Sequence, residues 1–160
     1  MEIATADDFV CGSLYGSDGI VCANVYLEDT DTDNSVIEEW PTEGSYSGLS
    51  AGAQRVCGLN ADSEAECWGT SVGQIPVDTD SRPIKFTRLA TGDWHTCGLT
   101  DSGKVLCWGR GAEGQLDLPV NMTFVDIAAA YNFTCGIREE DGVEVCWGGI
   151  ARNLWQDDLQ

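Results

Sequence analysis

Eight cysteines are the residues of this chain whose type and spacing most directly imply chemistry. They fall as Cys11 and Cys22, Cys57 and Cys67, Cys97 and Cys107, and Cys135 and Cys146, four pairs each spaced by 10 or 11. Two chemistries use cysteines in pairs, metal ligation by thiolates and disulfide bonding. Structural zinc sites draw ligands from cysteines about two to four residues apart. No Cys-x-x-Cys occurs here, and His95 is the sole histidine. No metal is therefore expected at the cysteines, and disulfides are, which places the chain outside a reducing cytosol.

Other side chains also match site patterns. Asn121-Met122-Thr123 and Asn132-Phe133-Thr134 satisfy the N-glycosylation rule, so Asn121 and Asn132 are candidate glycan acceptors. The run Glu28-Asp29-Thr30-Asp31-Thr32-Asp33-Asn34 alternates carboxylates as a calcium loop does, making Asp29, Asp31 and Asp33 weak calcium candidates. Such a loop needs Gly where Asn34 stands and a bidentate Glu where Trp40 stands, so a solvated acidic loop is the better reading. A Ser-His-Asp or Cys-His arrangement would have to use His95, which sits two residues before Cys97 inside a strand pattern. No catalytic residue and no cofactor are expected.

The elements that position these residues emerge when the first cysteines are aligned. EIATADDFVCG at 2–12, GLSAGAQRVCG at 48–58, RLATGDWHTCG at 88–98 and DIAAAYNFTCG at 126–136 all end in Cys-Gly. The second cysteine opens Cys-Trp-Gly at 67–69, 107–109 and 146–148, whereas the first copy reads Cys22-Ala23-Asn24. Steps of 46, 40 and 38 residues between copies are the period of a propeller or solenoid array. Units 1–46, 47–86, 87–124 and 125–160 fill the chain as one repeat domain, with an acidic insert at 28–46.

Each unit reads as strands around a hairpin. In the third, His95 to Leu99 and Lys104 to Gly109 flank the turn Thr100-Asp101-Ser102-Gly103, where Asp and Gly supply side-chain hydrogen bonding and positive φ. A short fourth strand is expected at Gly114-Gln115-Leu116. The two cysteines of a unit then face each other across the hairpin, where opposed Cα atoms approach to about 4.5 Å. Eight cysteines allow on the order of a hundred pairings. The repeat symmetry selects Cys11–Cys22, Cys57–Cys67, Cys97–Cys107 and Cys135–Cys146. Side chains alternate along a strand, so cystine should pack on one neighbouring sheet and the following Trp on the other. The small slots Ala4-Thr5-Ala6, Ser50-Ala51-Gly52, Ala90-Thr91-Gly92 and Ala128-Ala129-Ala130 suit strands converging on an axis. Trp68, Trp108 and Trp147 could instead form a ligand-stacking surface, but recurrence at one internal position favours packing.

The third unit, from Phe86 through His95, Cys97 and Gly98 to Cys107-Trp108-Gly109 and Gly114-Gln115-Leu116, resembles the regulator-of-chromosome-condensation repeat. The likeness is fair in the second and fourth units and loose in the first. It implies a β-propeller with four-stranded blades, commonly seven to a ring. The cysteine-stapled form is similar to that of secreted and cell-surface members, among them ectodomains of plant crinkly-type receptor kinases. The nucleotide-exchange activity of the nuclear member does not carry over, because its partner-contacting loops have no identifiable counterpart here.

The expected fold is therefore all-β: a propeller-type array of four blades, each a small antiparallel sheet with its own disulfide, as an open arc or part of a larger ring. Eight Lys and Arg against 27 Asp and Glu leave a formal charge of −19, which repels nucleic acid and anionic lipid. No apolar run approaches the roughly 20 residues of a membrane helix, and the acidic start, Met1 to Asp8, is not a signal peptide. A mature or excised extracellular or cell-surface segment is the expectation, binding proteins: other copies of itself or flanking repeats. Self-assembly into a surface fibre or ring, or a grip on one soluble partner as in an enzyme inhibitor or receptor ectodomain, are the two functional expectations.

Overall fold

A computed structural model of the chain describes residues 2–6, 9–13, 19–24, 43–53, 55–69 and 73–149. Twelve strands form among them: β1 (Glu2–Thr5), β2 (Phe9–Ser13), β3 (Ile20–Asn24), β4 (Ser47–Gly52), β5 (Arg55–Leu59), β6 (Ala65–Gly69), β7 (Arg88–Thr91), β8 (His95–Leu99), β9 (Val105–Gly109), β10 (Phe124–Ala130), β11 (Phe133–Arg138) and β12 (Glu144–Gly148). They make four antiparallel three-stranded sheets in sequence order, β1-β2-β3 through β10-β11-β12. The first strands of successive sheets lie side by side, β1 by β4, β4 by β7 and β7 by β10, so the blades fan out as an arc that does not close into a ring. No helix among the described residues is long and apolar enough to cross a membrane.

The hairpin turns obey their sequences. Gly103 takes φ +74°, and Thr100 Oγ1 accepts from the Lys104 amide at 3.1 Å, closing the β8–β9 turn. Asn60 plays the matching part in the second unit, its Oδ1 accepting from the Asp62 and Glu64 amides. With the turns set, the register places Cys11 opposite Cys22, Cys57 opposite Cys67, Cys97 opposite Cys107 and Cys135 opposite Cys146. All four pairs are bonded, with Cα atoms 4.0–4.1 Å apart, and no cysteine is free. Loops this short stabilise by about 2–3 kcal/mol each on the chain-entropy account.

The expected fourth strand does not form at residues 114–116. Gly114 is left-handed at φ +84°, and residues 111–118 coil through successive turns in which Gly114 donates to the Gly111 carbonyl and Asp117 to the Gly114 carbonyl. Gln115 is fully buried instead of strand-paired: its side-chain Oε1 accepts from the Glu113 amide, and its carbonyl accepts from Trp147 Nε1 at 3.1 Å. This segment is a strap onto the next blade rather than an outer strand. Among the described residues each blade has three strands, against the four implied by the resemblance.

Candidate interaction surfaces

The seams between blades repeat one contact. Cys11 and Cys22 of the first sheet cluster with Trp68 and Val56 of the second. Cys57, Leu59 and Cys67 meet Trp108, Phe86 and Leu89 of the third. Cys97, Leu99 and Cys107 meet Trp147, Phe124 and Ile127 of the fourth. In every case the cystine face of one blade takes the tryptophan face of the next. An indole buries roughly 150–250 Å², which at about 25 cal/mol per Å² amounts to about 4–6 kcal/mol as an upper bound for a fully covered ring. Trp108 and Trp147 reach that coverage, whereas Trp68 is half-buried with Tyr46 edge-on at 4.9 Å. Burial pushes the Tyr46 phenol up to about 12, aided by its hydrogen bond to Glu66 at 2.8 Å. The tryptophans therefore belong to the seams and not to a ligand platform.

The recurrent Cys-Gly step serves the same seam. A Cβ on Gly98 or Gly136 would fall on the ring of Phe86 or Phe124, each of which also packs beside its blade's Trp at 5.6–5.7 Å. Nearer the axis, a Cβ on Gly52 would land on the carbonyl of Gly92 in the next blade. The small-residue slot read from the sequence is thus a backbone-to-backbone approach.

One rim of the arc gathers the polar and aromatic side chains. Arg55, at the start of β5, is buried and sends Nη2 to the Asp93 carbonyl of the third blade at 2.8 Å; Nε and Nη1 have no hydrogen-bond partner among the described residues. Burial pulls its pKa down while Asp93 opposes this. The Asp93 amide donates onward to the Tyr131 carbonyl of the fourth blade. His95 is fully buried beside them, with Nε2 2.7 Å from Thr134 Oγ1 of the fourth blade. Burial first, and then the Arg55 charge, lower the His95 pKa to about 4. Above this pair, Arg110 lies over the Trp94 ring at 5.8 Å, and Tyr131 is 55% exposed. Buried as it is, His95 joins blades and has no open side to a substrate.

The remaining candidates are placed as follows. Asn121 is exposed in a turn at φ +58°. Asn132 is half-buried, and Thr134 of its sequon is 0% exposed and held by His95. Asp29, Asp31 and Asp33, with most of the acidic insert 28–46, lie outside the described residues. Among the described residues one grouping has metal-like proximity, Cys135, Glu144 and Cys146. Its two sulfurs are bonded to each other, which leaves a single carboxylate and no thiolate ligand. The sequence reading missed Arg55; the available signal was a cation in the slot where the other copies carry Phe9, His95 and Phe133.

A family model described as the regulator of chromosome condensation (RCC1) repeat matches residues 86–115, the third unit with its strap. The third unit is an RCC1-type repeat. Among solved structures, the chain superposes on the crinkly ectodomain of the Arabidopsis thaliana receptor kinase ACR4 with a TM-score of 0.72 and 27% identity, covering 92% of this chain and 49% of that one. It superposes equally on the entire ectodomain of the Physcomitrella patens receptor kinase CR4, at TM-score 0.73 and 29% identity over 93% of this chain and 39% of that one. Saccharomyces cerevisiae Prp20p, whose structure was described with its binding to Gsp1p and histones, shares the fold at TM-score 0.64 and 16% identity over 92% and 43%. The chain spans about half or less of the length of each. A sequence search among curated proteins finds no significant match.

Proposed function

We propose that this RCC1-type array is an extracellular, non-catalytic protein-interaction or structural module that associates with further copies of itself into a surface fibre or ring. Its blades are units 1–46, 47–86, 87–124 and 125–160. The observation that carries the reading is the state of the two end sheets. The first leaves Ile3 exposed at 60%, where blade 3 has Leu89 at 5%, and the last leaves Ile137 at 36% and Cys135 half-buried, where blade 3 has Leu99 at 4% and Cys97 at 0%. Four disulfides and the likeness to receptor ectodomains support an oxidising, extracellular setting. The charge of −19 keeps nucleic acid and anionic membranes away. Of the two sequons the geometry favours Asn121, since Thr134 of the other is buried.

A second reading, one soluble protein partner as for an inhibitor or receptor ectodomain, draws support from the rim. Trp, Tyr and Arg are the side chains that dominate binding hot spots; Arg110 lies over Trp94, and the exposed Tyr131 belongs to the next blade, its carbonyl bonded to the Asp93 amide. Light scattering on the oxidised chain separates the two. A mass rising above 17.2 kDa with concentration supports self-association; a monomer throughout transfers the weight to the rim.

A further inference from the structure

Resting on the soluble-partner reading, we infer that Arg110, held over the Trp94 ring on the third blade, anchors a single carboxylate of a protein partner. Both residues belong to an inner blade, with a blade on either side. The backbone that carries the pair is repeated in the next blade, but the side chains are not. The Arg110 amide donates to the Trp94 carbonyl at 2.8 Å, and at the matching place in blade 4 the Gly149 amide donates to the Asn132 carbonyl at 3.0 Å. Gly109 and Gly148, at φ +105° and +109°, permit both joints, since a Cβ on either would fall on the opposing carbonyl. Blade 4 closes its joint with Asn and Gly, and the second copy carries Gln54 and Thr70 in the same slots. The repeat therefore requires neither the indole nor the guanidinium, and their presence in blade 3 calls for another explanation.

The charge pattern supplies one. Of the arginines among the described residues, Arg82, Arg88 and Arg138 are each paired with aspartate, and Arg55 is buried at the seam. Arg110 is exposed and has no ion pair among the described residues, in a chain with 27 acidic side chains. A guanidinium over an aromatic face is held by cation–π attraction while its edge N–H groups stay free. Those paired donors match the two oxygens of a carboxylate. The turn beneath is fixed from both sides: Arg55 Nη2 of blade 2 donates to the Asp93 carbonyl, and the Asp93 amide donates to the Tyr131 carbonyl of blade 4. An anchor fixed in advance loses little freedom on binding.

At a formal −19 the chain repels strongly acidic proteins, so the carboxylate sits on an otherwise neutral or basic segment. Its source is an Asp or Glu side chain or a chain terminus, which offer the same group.

Selection of peptides on the full oxidised chain tests this and separates the two sources. One phage-displayed random library presents internal segments only, and a second ends in a free C-terminal carboxylate. The bound peptides are expected to share an Asp or Glu at one place in the first library, or to come from the second alone. With the best synthetic peptide, Arg110→Gln should weaken binding at least about tenfold, as should converting the peptide carboxylate to its amide. The two changes together should cost little more than either one, because they remove the same contact. Arg110→Lys keeps the charge without the planar fork and should recover only part of the loss. Urea midpoints equal to the wild type's show that the variants are folded. Peptides that bind without a carboxylate, or equally well to Arg110→Gln, sink the anchor while leaving partner binding standing. No enrichment from either library removes both.

Discussion

Acid should loosen this fold through one side chain, His95. In the native chain its ring is 0% exposed, bridges blades 3 and 4 through Thr134, and has a pKa lowered to about 4 against 6.5 when unfolded. With Nε2–H donating to Thr134 Oγ1, the Thr134 hydroxyl is free to point at Cys97 Sγ, 3.4 Å away. Protonation would then place a hydrogen on Nδ1, which has no hydrogen-bond partner among the described residues, and a second positive charge beside Arg55, with Asp93 the carboxylate that acts on Arg55. Above pH 6.5 both states hold the ring neutral and nothing is lost. Between 6.5 and about 4 the unfolded chain takes up a proton that the native chain refuses, so stability falls by about 1.4 kcal/mol per pH unit and levels off below 4. The full drop is about 3 kcal/mol. Urea unfolding of the oxidised chain at several pH values, wild type against His95→Gln, isolates it, since Gln keeps a donor towards Thr134 and the remaining carboxylates cancel in the difference. Wild type should lose about 3 kcal/mol relative to the variant between pH 7.5 and 4. Parallel curves would mean that His95 is not buried neutral at the seam.

Three further outcomes follow from the seams and the rim. Arg55→Met removes a buried cation whose Nε and Nη1 have no hydrogen-bond partner among the described residues, so the unfolding free energy in urea should fall by no more than about 1 kcal/mol or rise, and the acid loss at His95 should shrink; a loss above about 3 kcal/mol would contradict this account of Nε and Nη1. Gly52→Ala drives a methyl into the Gly92 carbonyl and should cost several kcal/mol, whereas Gly142→Ala, left-handed at φ +73° with nothing within 4 Å, should cost about 1 kcal/mol in the same unfolding assay. Trp108→Ala should cost about 3–5 kcal/mol, and Trp68→Ala clearly less because that indole is only half-covered; equal losses would argue against the seam geometry.

What could be read in advance follows the strand period. Two cysteines symmetric about a turn of known type fix the hairpin register, and alternation then assigns cystine and Trp to opposite faces, as Cys97 and Trp108 are. Less legible were features decided by the neighbouring blade. Gly114-Gln115-Leu116 has a strand-like composition, but the Trp147 indole captures the Gln115 carbonyl, and the segment coils into turns. Arg55 reads as a surface cation until the Asp93 turn of the next blade covers it. The sequon at Asn132 looks like a surface loop, yet Thr134 lies opposite Trp147 on a seam face, so it is buried.

The whole account depends on covalent ties that stay inside each blade. Digestion of the unreduced chain with Glu-C and Asp-N, followed by mass spectrometry, reads them directly. Four linked peptides joining Cys11 to Cys22, Cys57 to Cys67, Cys97 to Cys107 and Cys135 to Cys146 are the predicted result; a bond between two different blades, or free thiols, would contradict it.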